Sequence, residues 1–439
     1  MVTAVMIGAL TRQAFAEPVP DEPPGPTTDE LDQAADATAD VANVAAPPPV
    51  PVPVPPVAAK ASSDEIDLSE LGLEPGGPGF DDKLNLYGFA DIIYFDQYLV
   101  RKIPGYTQDT KGFGVGNFNI YLSKNLTARA RALGEFRLSF SPNGSLNADG
   151  SYVDTTAQDL ADFSRPNQWG SIVIERVYVE YDVTEHLTLR VGHWLTPYGI
   201  WNIDHGSPAI VAAFRPYIIG ERFFPEHQTG FDLFGSERAG RYMLNYHLTA
   251  SNGRGGAEAV VDQDGKLAFG GRLEVETPWG LKLGGSFYRG RYTGIPASFG
   301  ALPQTYLESA YAGDAQLRHG GLLLQGEVIT RDLHYAAGQR AATGAGFAPD
   351  GRDLGFYVLA GYRFDRLWNV MPFGYFETGT TAVHMYQAGT QTFNVGLNFR
   401  PTANLVLKLQ MNHTKFDEGP EPLAGNKVFY TVAQAAWVF

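Results

Sequence analysis

From Leu126 to Phe140 the sequence LTARARALGEFRLSF alternates between two kinds of side chain. Thr127, Arg129, Arg131, Glu135, Arg137 and Ser139 share one parity with Leu133, whereas Leu126, Ala128, Ala130, Ala132, Gly134, Phe136, Leu138 and Phe140 share the other. An extended strand sends successive side chains to opposite faces, so the segment reads as a strand with one charged and one apolar wall. The chain has no run of about 18 apolar residues that could cross a bilayer as a helix. If such strands meet lipid, every main-chain polar group must be satisfied inside the protein, and only a closed barrel achieves that.

From Lys83 onward the chain supplies about sixteen segments of this period-two kind, separated by Gly, Pro, Asn and Asp clusters. Their connections alternate. SKNLT, DVTEHL, TPWGLK and RPTANL are short turns, whereas Pro142 to Trp169, Thr196 to Gln228, Arg289 to Gln304, His334 to Asp353 and Thr378 to Gln391 are long. Short turns on one rim and long loops on the other describe a bacterial outer-membrane barrel. The final residues, AAWVF, place Phe439 at the end of a strand that also carries Trp437, Ala435, Ala433 and Phe429 on one parity. This ending resembles the C-terminal aromatic signature read by the barrel-insertion machinery. The expected fold is therefore all-β: a transmembrane antiparallel β-barrel of about 16 strands, with short periplasmic turns and long extracellular loops.

The N-terminal part has a different character. Residues 1–16 contain the apolar run Val2 to Leu10 and a small-x-small pattern at Ala14-Phe15-Ala16, which reads as an export signal without the usual basic start, either atypical or preceded by further residues. Residues 17–80 are Pro- and Ala-rich, with thirteen acidic residues against Lys60. They account for most of the net charge of −15. PPPVPVPVPPV should be a stiff polyproline II spacer, and residues 62–73 a short helix, within a periplasmic linker that could engage the cell wall or a periplasmic partner. The barrel is expected over residues 81–439. The absence of cysteine suits passage through an oxidising compartment without disulfides.

With the Leu/Ala/Phe face toward lipid and lipopolysaccharide, the charged face lines the lumen. Swapping the faces would put arginines in hydrocarbon, at about 2 to 4 kcal/mol each near the midplane. The expected lumen and selectivity residues are Arg129, Arg131, Glu135, Arg137, Arg176, Arg190 and Lys408, with Glu135 pairing Arg131 or Arg137. Arg272, Glu274, Gln325, Glu327, Arg331, Asn398, Arg400 and Gln410 share their parity. Cations in a narrow low-dielectric pore enrich anions; the same cations, paired with neighbouring carboxylates, give only an ordinary charged wall. The loop from Thr196 to Gln228 is too apolar to lie open to water, which predicts that it folds inward as a constriction carrying Tyr198, Trp201, Asp204, His205, Arg215, Glu221 and Arg222. Packing against a second protomer or lipopolysaccharide is the alternative. His193, Asp204 and His205 match no compact metal-ligand spacing, and no nucleophile elbow is present, so neither metal, cofactor nor enzyme activity is expected.

Two stretches, LTLRVGHWLTPYGIW (Leu187 to Trp201) and NVGLNFRPTANLVLKLQ (Asn394 to Gln410), resemble the phosphate-selective porin O/P superfamily. The resemblance implies a sixteen-stranded, trimeric barrel with inward-folded loops and basic residues guiding anions, and it places Gly192 and Thr196 to Gly199 where a strand exits into a long loop. Lysines are scarce in this lumen and residues 81–439 carry a net −4, which departs from the phosphate-selective pattern. The function expected is an outer-membrane porin, homotrimeric, passing small hydrophilic solutes with a mild anion preference and having no nucleic-acid partner. The alternative is a structural anchor tethered through residues 17–80; a specific channel for a sugar or aromatic compound is a third reading, drawn from Tyr198, Trp201 and Tyr217.

Overall fold

The computed structural model describes residues 83–102, 109–139, 145–146, 152–153, 171–202, 206–216, 223–255, 262, 265–293, 305–335, 342–343, 346–347, 350–380, 389–418 and 424–439. The export signal, the acidic arm and its short helix at 62–73 lie outside these residues. Two compact units divide the chain, one of residues 1–57 and 146–153, the other of residues 58–145 and 154–439. Of the first, only Leu146, Tyr152 and Val153 are described, in short strands. The second is the barrel.

Sixteen strands form it: β1 (Leu84–Leu99), β2 (Asp109–Asn125), β3 (Ala130–Ser139), β4 (Ser171–Asp182), β5 (Thr188–Leu195), β6 (His227–Ala239), β7 (Tyr242–Ser251), β8 (Ala268–Glu276), β9 (Leu281–Thr293), β10 (Thr305–His319), β11 (Leu322–Tyr335), β12 (Gly351–Tyr362), β13 (Met371–Thr380), β14 (Thr390–Thr402), β15 (Leu405–Phe416) and β16 (Lys427–Val438). Each pairs antiparallel with its sequence neighbour, and β1 also pairs with β16, from Phe89 opposite Val438 to Leu99 opposite Val428. That pairing closes the sheet and leaves no edge. Short turns such as Gly240-Arg241 and Gly320-Gly321 alternate with the long connections throughout, as the sequence predicts.

Burial follows parity. On β12, Leu354, Phe356 and Val358 are exposed while Asp353, Tyr357 and Leu359 between them are buried. Across the barrel, many large aliphatic and aromatic side chains are exposed, while the buried set includes many Arg, Glu, Asp, Asn and Gln. A wall apolar outside and charged inside needs hydrocarbon around it. Aromatic belts mark both ends of that wall. Toward the loops, Phe356, Phe376 and Phe393 succeed one another at 6.0 and 4.7 Å, and His413, Phe429 and Tyr98 continue at 4.5 and 6.0 Å. Toward the turns lie Tyr242 with Trp279, Tyr362 with Phe364, and Trp368 with Phe399.

The chain's last residue completes the seam. Phe439 N–H donates to Gly88 O and Gly88 N–H to Phe439 O, both at 2.9 Å. The Phe439 ring stacks on Phe118 at 5.7 Å and lies over the Cα of Gly88, where a Cβ would come within 2.8 Å of it. Trp437, two residues earlier on the same face, sits opposite Ala90 of β1.

One boundary differs from the expectation. β3 begins at Ala130 rather than Leu126, because Thr127 Oγ1 accepts the main-chain N–H groups of Arg129 and Ala130 at 3.1 and 2.9 Å and makes a tight turn of Leu126 to Arg129. Arg129 is therefore an exposed turn residue and does not line the lumen wall. We expect Arg129→Glu to leave the reversal potential of a bilayer-inserted barrel across a KCl gradient unchanged, whereas a shift toward cations would restore Arg129 to the lumen set.

Candidate functional site in the barrel lumen

Two arrangements occupy the interior: an ion-paired wall and a folded-in loop. On β3 to β6 the arginines expected to face the lumen each hold carboxylates. Arg176 Nε donates to Glu135 Oε2 at 2.5 Å, and Asn119 Nδ2 reaches the other oxygen of Glu135 at 2.6 Å. Glu135 thus pairs with Arg176 of the neighbouring strand, because register places the two directly opposite each other, whereas Arg131 and Arg137 lie four and two residues away along its own strand. Arg131 bonds Glu180 and Asp182, and Arg137 bonds Glu175 at 2.8 Å. Arg190, fully buried, bridges Glu180 at 2.6 Å and Asp232 at 3.2 Å, its guanidinium held 4.6 Å from the ring centres of both Tyr178 and Phe234. The pattern continues around the barrel with Arg272 on Asp314, Arg331 on Asp353, and Arg254 on Glu308. A guanidinium already saturated by a carboxylate adds little field to the pore.

Lys408 differs from the arginines. Its buried Nζ donates to two main-chain carbonyls of the loop, Ser207 O at 2.5 Å and Ala212 O at 2.9 Å.

The described residues of the connection between β5 and β6, 196–202, 206–216 and 223–226, pack against inward-facing side chains of the barrel. Its two ends are fastened together: Thr196 Oγ1 donates to Pro225 O at 2.5 Å, Asn202 Nδ2 bonds Thr196 O at 2.7 Å and Glu226 O at 3.2 Å, and Arg215 pairs with Glu226 at 2.8 Å. Tyr198 is buried against Phe224 and Tyr288, and its hydroxyl lies 2.7 Å from Thr249 Oγ1. Burial pushes that phenol well above its usual range, so it stays a neutral hydroxyl. Gly199 adopts φ +75°, and any side chain there would land on Glu327, whose Oε1 accepts from Trp201 N–H at 3.4 Å and Tyr357 OH at 2.8 Å. Trp201 packs edge-on to Tyr357 at 6.1 Å. Beyond it, residues 207–214 run along β13 to β15 and Phe214 meets Tyr430 of β16 at 5.9 Å. Asp204, His205, Glu221 and Arg222 of the expected constriction, and Tyr217, lie outside the described residues.

The apolar seat of this loop escaped sequence reading. Leu323, Ile329, Leu359, Met371 and Phe373 point inward and pack with Tyr198, Trp201, Ile210 and Phe223. A signal existed: on β11 to β13 both parities carry apolar residues, as in LGFYVLAGY, and a strand apolar on its lumen face requires something apolar to cover it. His193, singled out in the sequence, stacks on His227 at 5.4 Å and bonds Thr229 at 2.8 Å.

This architecture is shared with known proteins. The anion-selective porin from Comamonas acidovorans superposes with a TM-score of 0.53 over 81% of this chain and 99% of its own, at 11% identity. The barrel has the fold of an outer-membrane porin. The channel DcaP of Acinetobacter baumannii, at a TM-score of 0.50, 11% identity, and 81% and 97% coverage, agrees. So does the Salmonella typhi OmpF complex with daunomycin, at 0.50, 11%, and 82% and 98%. In sequence, the chain is 28% identical over 278 residues to an uncharacterized protein of Aquifex aeolicus, a match covering 54% of this chain and 61% of that one. No protein-family profile matches. The porin fold accounts for the strand count; the phosphate-selective O/P superfamily remains a resemblance of two stretches.

Proposed function

We propose that this chain is an outer-membrane diffusion channel for small hydrophilic solutes, narrowed by the connection between Leu195 and His227, with its acidic arm of residues 17–80 in the periplasm. The observation that carries the reading is the loop seated inside a closed sixteen-stranded barrel, held there by polar and apolar contacts with strands from β7 to β16. A barrel of this strand number has room for an aqueous path, and an inward loop sets its bore. The porin fold supports an outer-membrane location, and we propose a homotrimer there.

The anion preference expected from the arginine row loses its support, since Arg131, Arg137, Arg176 and Arg190 all hold carboxylates. Weak charge selectivity is the better reading, with passage set by the size of the bore.

The test is planar-bilayer conductance of the purified chain with and without residues 197–225 replaced by a short Gly-Ser link. Loop removal is expected to raise single-channel conductance about threefold, with a reversal potential near zero in a KCl gradient. Silence of both forms would instead favour the anchor reading, in which the barrel is a fixed plug and the arm is the active element.

A further inference from the structure

We infer that Lys408, with Asn398 and Gln410, is a clamp that fixes the bore of the channel by gripping the main chain of the lumen loop. The inference rests on the channel reading above. Lys408 Nζ joins Ser207 O and Ala212 O, carbonyls five residues apart, so one nitrogen ties both ends of a loop segment to β15. Between and beside them, Asn398 Nδ2 of β14 donates to Val211 O at 2.9 Å, and Gln410 Oε1 of β15 accepts from Ala213 N–H at 2.9 Å. Arg400 Nη2 adds a bond to Pro208 O at 2.6 Å.

All these bonds end on main-chain atoms of residues 207–213. The wall, rather than the identity of the loop side chains, therefore decides where this part of the loop sits. The buried Nζ of Lys408 cannot leave Ser207 O and Ala212 O without stranding a donor and two acceptors away from water, which makes it the member that resists displacement most. The clamp is itself braced. Gln410 Nε2 donates to Tyr375 OH at 3.1 Å and Asn394 Oδ1 at 2.9 Å, and Tyr375 OH reaches Phe214 O at 3.3 Å. Lys408, Asn398 and Gln410 are positioning residues: they act on solutes through the loop.

The experiment uses the full chain in planar bilayers, with folding of each variant checked by heat-modifiable gel mobility. Lys408→Met is expected to raise conductance about twofold and to admit larger sugars in liposome swelling, as a loop freed at one side widens the path. Lys415→Met, which removes the same side chain at an exposed position of β15, is expected to leave both readouts unchanged. Because the chain has no cysteine, Ala213→Cys with Gln410→Cys provides a second arm that tolerates a poorly folding Lys408 variant. That pair should be wide before, and of native conductance after, bridging with a bifunctional thiol reagent. Native conductance in both Lys408→Met and the unbridged pair, beside a raised conductance in the loop-deleted form, would overturn the clamp alone. Silence of every form, loop-deleted included, would overturn the channel reading and the clamp with it.

Discussion

Gly88→Val is expected to abolish the folded barrel. At Gly88 the C-terminus is sewn into β1 by two main-chain hydrogen bonds to Phe439, and the Phe439 ring occupies the space above the glycine Cα. A valine must displace that ring and also meets Asn119 O of β2. Both neighbours belong to strands that flank β1, so the collision cannot be relieved on one side without straining the other. Opening the seam exposes two strand edges in hydrocarbon, where unpaired main-chain groups are costly. The measurement is the fraction of heat-modifiable, protease-resistant barrel after refolding into lipid vesicles. A near-complete loss is expected for Gly88→Val, and a smaller one for Phe439→Ala, which keeps the main-chain bonds but loses the stack on Phe118. Normal folding of Gly88→Val would show that the seam tolerates rearrangement and that Phe439 does not need this seat.

Arg190→Met is expected to destabilise the barrel by about 3 to 5 kcal/mol, the scale for breaking a buried ion pair and leaving its partners charged. Arg190 lies between Glu180 and Asp232, which have almost no access to solvent, and its guanidinium is sandwiched by Tyr178 and Phe234. Asp232 keeps a bond to His247 at 3.2 Å, and Glu180 keeps Arg131, so the network would distort rather than vanish. Arg190→Lys is expected to recover only part of the loss, because a point-like ammonium cannot bridge two carboxylates and stack on two rings together. Urea unfolding in lipid vesicles reads the difference as a shift of midpoint at constant slope. A midpoint unchanged within error would mean that water enters and solvates the two carboxylates, and hence that this side of the lumen is wetter than its packing implies.

The strand parity of the lumen wall was readable from residue order. Over Ala130 to Ser139 the alternation matches the strand, and Arg131, Arg137, Arg176, Arg190 and Lys408 sit among the ion-paired or loop-facing side chains. Arg129 does not, because alternation continues through a turn as easily as through a strand, and only the hydrogen bonds from Thr127 Oγ1 end it. That the loop from Thr196 to Gln228 needs an apolar cover was also readable from its own residues, with the lumen and a second protomer or lipopolysaccharide both left open as that cover. Its seat was harder to find, being spread over strands far apart in sequence, from Tyr288 to Phe373.

The residue order alone therefore determined the architecture: period-two alternation with short and long connections in turn leaves a lipid-embedded antiparallel barrel as the consistent solution. What only the tertiary structure decided is who touches whom across it. Parity gives the face of each side chain, but its partner depends on the register between strands, on bulges such as the one at Glu135, and on where a loop comes to rest. Those choices paired the arginines with carboxylates, one of the two arrangements that the residue order left open, and set Lys408 against the main chain of the loop. The physical reason is that charge in a low-dielectric wall is governed by its nearest few ångströms, a scale that sequence order does not encode.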